Sequence, residues 1–77
     1  MKDYSRSIIL IPTLNERENL KGLIPGIFGL MPGVSVLVVD DNSSDGTQEL
    51  VMSMKAGFPN LFLEAIIPAL FQPAYFS

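Results

Sequence analysis

Three of the eight acidic side chains in this 77-residue sequence, Asp40, Asp41 and Asp45, fall within six positions, directly behind the apolar run Val36–Val39. A carboxylate accepts hydrogen bonds from the N–H edge of a base or from ribose hydroxyls, and it can hold a divalent cation that screens a diphosphate. A second stretch, "IILIPTLNERENL" from Ile8 to Leu20, repeats the pattern: an apolar run, a proline break, then polar and acidic residues. Asn15, Ser43, Ser44 and Asp45 also read as helix caps and turn residues, and for Asn15 and Asp45 that claim is as good as a functional one, the two roles being compatible. Capping explains little about Asp40 beside Asp41, because adjacent like charges at a strand end repel, so that pair points to function. No G-x-G-x-x-G follows the first apolar run and no G-x-x-x-x-G-K-[ST] occurs anywhere, which removes the dinucleotide fingerprint and the phosphate loop. The chemistry on offer suits the base and ribose end of a nucleotide.

Two such loops need a scaffold. Ser7–Ile11 is apolar and rich in β-branched residues, as expected of a strand covered on both faces, and Pro12 ends it. Asn15, with Glu18 three positions on, predicts a helix start. Leu20, Leu23, Ile24, Ile27 and Phe28 continue at helical spacing. Pro25 and Gly26 predict a kink or an early end. Met31–Val34 is a turn, Ser35–Val39 a second buried strand, and Asp45 with Gln48 resembles another capping box. Leu50, Val51 and Met54 form the stripe of a second helix, Gly57 suits its end, Pro59 lies just beyond, and Leu61–Leu63 starts a third strand. The order β-α-β-α-β predicts an α/β fold with a parallel sheet, in which ligands bind outside the carboxyl ends of the strands. Both polar loops lie at such ends.

Composition narrows the classes. A chain this short buries only about 60% of its unfolded surface, so its independent stability is marginal. With 48% hydrophobic and 17% charged residues it is globular rather than disordered. A net charge of −3 without a basic cluster argues against nucleic acid. The absence of Cys and His excludes disulfides, zinc sites and catalysis through those side chains. The polar start does not resemble a signal peptide, and Leu61–Phe71, interrupted by Glu64 and Pro68, is shorter than the roughly 20 residues of a spanning helix. The expected location is cytoplasmic, or the cytoplasmic face of a membrane.

The motif "IPTLNERENL", followed about twenty residues later by "VLVVDDNSSDGT", resembles the opening of family-2 glycosyltransferases of GT-A fold. Within that family it is most similar to the dolichyl- or polyprenyl-phosphate mannosyltransferases. The resemblance implies a partial Rossmann-like (GT-A) sheet over residues 1–64, with Pro12, Leu14, Glu16, Asp40 and Asp41 lining a nucleotide pocket. Leu14 stands where the family commonly has Tyr. It further implies GDP-mannose as donor, a polyprenyl or dolichyl phosphate as acceptor, inversion at the anomeric carbon, and Mg or Mn as cofactor of the complete enzyme. The family's next segment, E-R-x-x-K-x-G-L-G-x-A-Y, survives here only as Glu64, Ala74 and Tyr75, and the D-x-D metal motif is absent from the sequence. Residues 65–77 are therefore expected to be a divergent apolar tail, and the chain a truncated, catalytically incomplete form that self-associates or joins a membrane subunit. Two other classes compete. A phosphoacceptor receiver domain also carries "LVVDD", but on its first strand and with a later Asp, whereas no Asp follows Asp45. The other is a non-catalytic module binding a nucleotide or a partner.

Overall fold

The computed structural model describes residues 3–66 and gives the order β1 (Ile8–Thr13), α1 (Arg17–Leu30), β2 (Ser35–Asp40), α2 (Thr47–Met54) and β3 (Leu61–Ala65). The strands form one parallel sheet in the order β1-β2-β3. This is the predicted α/β architecture, an open partial Rossmann-like sheet. The expected tail overlaps β3 at Ala65, and its residues 67–77 lie outside the described part.

Both crossovers move across the sheet in the same direction. Right-handed connections then place α1 and α2 on one face, where they touch each other. Pleating sends alternate residues to that face. Val36, Val38 and Leu61 are fully buried there against Leu20 and Ile24 of α1 and Val51 of α2. Ile9, Ile11 and Leu63 pack around this core, and Phe28 stacks on Phe58 with ring centroids 4.9 Å apart.

The other face has no helix among the described residues. Ile8 is 64% exposed, Leu10 59% and Phe62 45%. Among the described residues the expectation that the first strand is covered on both faces is not met: β1 is there an edge strand with one apolar side open. Its unbroken apolar run reflects a sheet built for two layers, of which the described residues supply one.

Two local expectations are corrected. Helix α1 does not end at Pro25 but runs on to Leu30. Pro25 sits on the exposed side of the helix while its neighbour Ile24 is buried, so water can satisfy the carbonyl a turn back that loses its N–H partner. Asn15 is not the N-cap of α1 either; Glu16 holds that position without a side-chain cap bond, and Asn15 precedes it in the left-handed region at φ 55°.

Candidate functional site

At the carboxyl rim of the sheet, the loop after β1 and the loop after β2 lie side by side because their strands pair in register, Thr13 opposite Asp40. Alternation along β2 then separates the two adjacent acids. Asp40 shares the parity of Val36 and Val38 and points to the helix side, where it is fully buried. Asp41 follows Leu37 and Val39 and is exposed.

Asp40 is saturated with donors. Its Oδ1 accepts the Thr13 hydroxyl at 2.7 Å and the Ser43 hydroxyl at 2.6 Å. Its Oδ2 accepts the Ser43 backbone N–H at 2.9 Å and the Gln48 Nε2 at 2.8 Å. Burial pushes the Asp40 carboxyl upward, but the bonds from Ser43, Gln48 and Thr13 outweigh it and hold its pKa below the ordinary value. Gln48 thus turns toward Asp40 rather than completing the predicted box with Asp45.

Asp45 joins the two helix starts. Its Oδ2 accepts the Arg17 N–H, at the first residue of α1, at 3.2 Å. Its Oδ1 accepts the N–H of Thr47, at the first residue of α2, at 3.0 Å, and the Thr47 hydroxyl as well. The Thr47 hydroxyl, aided by the Arg17 and Thr47 N–H groups, holds the Asp45 carboxyl below its ordinary pKa. The residue before α2, Gly46, takes φ 88°, a conformation few other residues adopt.

The loops are stitched together at further points. The Asn15 N–H donates to Ser43 Oγ at 2.7 Å, the Ser44 N–H donates to Asn15 Oδ1 at 3.0 Å, and the Asp41 N–H donates to the Thr13 carbonyl at 2.9 Å. Asn15 and Asn42 both have φ 55°, one left-handed asparagine in each loop. Asparagine tolerates this region better than most residues.

An open cleft of about 390 Å³ lies on the helix-free side of this rim, lined by Pro12, Thr13, Leu14, Val39, Asp41 and Ile66. Ile66 reaches it because its N–H donates to the Asp40 carbonyl at 2.8 Å, prolonging the β2–β3 ladder. The walls are largely apolar, and Asp41 supplies the carboxylate. Among the described residues no donor reaches the Asp41 side chain.

Of the five residues expected to line a nucleotide pocket, Pro12, Leu14 and Asp41 come together in this cleft. Asp40 lies behind it. Glu16 is half-buried at the start of α1 and accepts the Asn19 Nδ2 at 2.6 Å. Sequence reasoning missed Thr13, Val39 and Ile66 as lining residues, and Ser43 and Gln48 as partners of Asp40. Strand parity could have found Val39 and the two faces of the acidic pair, whereas it sets the Thr13 side chain on the helix side with Asp40; nothing local marks Ser43, Gln48 or Ile66. The described residues contain no group of three or more carboxylate, His or Cys side chains fit to hold a metal ion. No helix among them is long and apolar enough to cross a membrane.

The chain is 42% identical over 60 residues to a polyprenol monophosphomannose synthase of Mycolicibacterium smegmatis, an alignment covering 78% of this chain and 23% of that protein. It is 40% identical over 53 residues to a dolichol-phosphate mannosyltransferase of Pyrococcus furiosus, covering 66% of this chain and 15% of that protein. The chain thus spans less than a quarter of the length of these curated relatives. No solved structure gives a significant match. The profile of glycosyl transferase family 2 matches residues 8–63, taking in both rim loops and the strands that carry them, and the chain belongs to that family.

Proposed function

We propose that this chain forms the base-binding front of a glycosyltransferase that moves mannose from GDP-mannose to a polyprenyl or dolichyl phosphate. The observation that carries the reading is the cleft itself, in which one carboxylate, Asp41, without a donor among the described residues, stands between apolar walls at the carboxyl rim of a parallel sheet. Ligands of open α/β sheets bind at that rim. A purine ring is flat and apolar on its faces and carries its donors on its edge, and the cleft offers the complement. Guanine presents N1–H and the 2-amino group side by side, which matches the two oxygens of a carboxylate. Pro12, Leu14, Val39 and Ile66 would cover the ring faces with aliphatic contacts.

The names of the two relatives supply the class of acceptor and the sugar. In the transfer, an acceptor phosphate oxygen bonds to the anomeric carbon as the bond from that carbon to the GDP phosphate oxygen breaks, and GDP leaves with the electron pair. The acceptor oxygen is already anionic, so the reaction does not require a strong general base. Stabilising the leaving diphosphate is the larger electrostatic task. We place the ligands of a divalent cation, Mg or Mn, outside the described segment, along with the acceptor site.

The test is a GDP titration of the folded, isotope-labelled 77-residue chain followed by NMR, with and without magnesium. The described residues supply the base side of the proposed pocket, so a dissociation constant between high micromolar and millimolar is expected, roughly 4 to 5 kcal/mol. Shifts should gather at Leu14, Val39, Asp41 and Ile66. No shift at these residues up to solubility-limited GDP would overturn the reading.

A further inference from the structure

We infer that Asp40, the more buried of the two adjacent acids, is a positioning residue that makes no nucleotide contact and instead fixes the two rim loops so that Asp41 faces Pro12 and Leu14 across the cleft. The inference rests on the base-binding reading of that cleft. A carboxylate has about four acceptor sites, and all four of the bonds found at Asp40 come from the protein: from Thr13 Oγ1, Ser43 Oγ, Ser43 N and Gln48 Nε2. Nothing is left to offer a ligand. Its side chain has 0% exposure and points to the helix side of the sheet, whereas the cleft opens on the other side.

The origin of the four donors gives Asp40 its role. Thr13 ends β1, Ser43 sits in the middle of the second loop, and Gln48 belongs to the first turn of α2. One buried anion therefore holds three segments that are far apart in sequence or conformation. The Ser43 hydroxyl, while donating to Asp40, also accepts the Asn15 N–H, which extends the hold to the first loop. Asp41 is the next residue along the chain and is tied to the Thr13 carbonyl. Its position is thus set by the anchoring of Asp40 on one side and of Thr13 on the other. A satisfied buried network of this kind specifies a single arrangement and tolerates the loss of a member badly.

The test measures the loops and the ligand separately, on the isotope-labelled 77-residue chain. Amide hydrogen exchange at Asn15, Ser43 and Ser44 without ligand reports loop order, and GDP titration reports binding. Asp40→Ala should speed exchange at those three amides about tenfold or more and weaken GDP about tenfold. Asp40→Asn keeps one acceptor for the Ser43 N–H and Gln48, and turns its NH₂ toward the hydroxyl oxygens of Thr13 and Ser43. It should restore GDP affinity to within about threefold of the parent. Gln48→Leu, well away from the cleft, should raise exchange and weaken GDP together, while Asp41→Asn should lose GDP with loop exchange unchanged. Asp40→Asn losing GDP as heavily as Asp41→Asn, with parent-like exchange, would mean direct contact and overturn the inference. Parent-like exchange in Asp40→Ala would do the same. Should Asp40→Ala not fold, Asp40→Asn and Gln48→Leu carry the decision. Should the parent fail to bind GDP, the base-binding reading falls, while the exchange rates still decide whether Asp40 fixes the loops.

Discussion

Asp41→Asn isolates the feature on which base recognition depends. In the folded chain the Asp41 carboxylate is exposed at the rim, receives no donor from the described residues, and is placed by its own N–H bond to Thr13 rather than by its side chain. The substitution should therefore leave the fold alone. It keeps one acceptor oxygen, removes the charge, and turns a donor toward whichever guanine N–H the second oxygen had served. Removing a charge-assisted hydrogen bond costs about 1.5–3 kcal/mol, which is about ten- to a hundredfold in affinity. Asp41 stands in an open cleft where water competes, so the lower half of that range is expected. Parent binding near millimolar would then fall to roughly ten millimolar or weaker. The nucleobase series gives an independent reading of the same contact. GDP should bind best; IDP, lacking the 2-amino group, and UDP, offering one ring N–H, should bind less well. ADP presents a bare ring nitrogen to the carboxylate and should be weakest. In Asp41→Asn these differences should shrink. NMR titrations of both proteins with the four nucleotides make the comparison. Equal GDP affinity in parent and variant, or ADP binding as well as GDP in the parent, would refute the assignment of Asp41.

Thr13→Val replaces the hydroxyl of a residue only 4% exposed by a methyl group and removes the 2.7 Å donor to Asp40; a loss of about 1.5 kcal/mol or more is expected in urea denaturation at low protein concentration, and an unchanged midpoint would show that the bond is not formed. Asp45→Ala unties the N-termini of both helices and should lower the unfolding midpoint while sparing nucleotide shifts at Asp41, so loss of those shifts in folded protein would contradict its purely structural role. Asp40 has a folded pKa depressed below its ordinary value of 3.8; its contribution to stability is therefore complete above that value and is lost as pH falls through the lower folded one. Unfolding free energy should accordingly hold level from neutral pH to about pH 5 and drop on further acidification, with a shallower drop in Asp40→Asn. The open sheet face, with Ile8 64% and Leu10 59% exposed, should make the isolated chain self-associate, and the double change Ile8→Lys, Leu10→Lys should disperse it; sedimentation velocity showing a monomeric parent at high concentration would remove that expectation.

The alternation of short apolar β-branched runs with helical stripes was enough to determine the order of elements, because a short unbroken run bounded by turn residues marks a strand and a 3.6-residue stripe marks a helix. The same local pattern placed both polar loops at carboxyl ends of strands, and so on one rim. Where α1 stops was less legible: Pro25 is a strong local breaker, but Ile24 and the residues after it bury enough apolar surface to carry the helix through to Leu30. The roles of the acids depended on contacts that no local window contains. Asp40 and Asp41 look alike in sequence, and only the pairing of β2 with β1, together with the packing of α1 and α2 on one face, makes the first a buried acceptor for Thr13, Ser43 and Gln48 and the second an exposed one. Asp45 reads as the cap of the helix that follows it, yet it also caps α1, whose start lies 28 residues earlier, because parallel neighbouring strands bring successive helix N-termini to the same rim. Local sequence sets each segment's conformation through short-range sterics and periodic burial. Which carboxylate meets solvent and which meets protein is set by strand register and layer coverage, and those exist only once distant segments have packed.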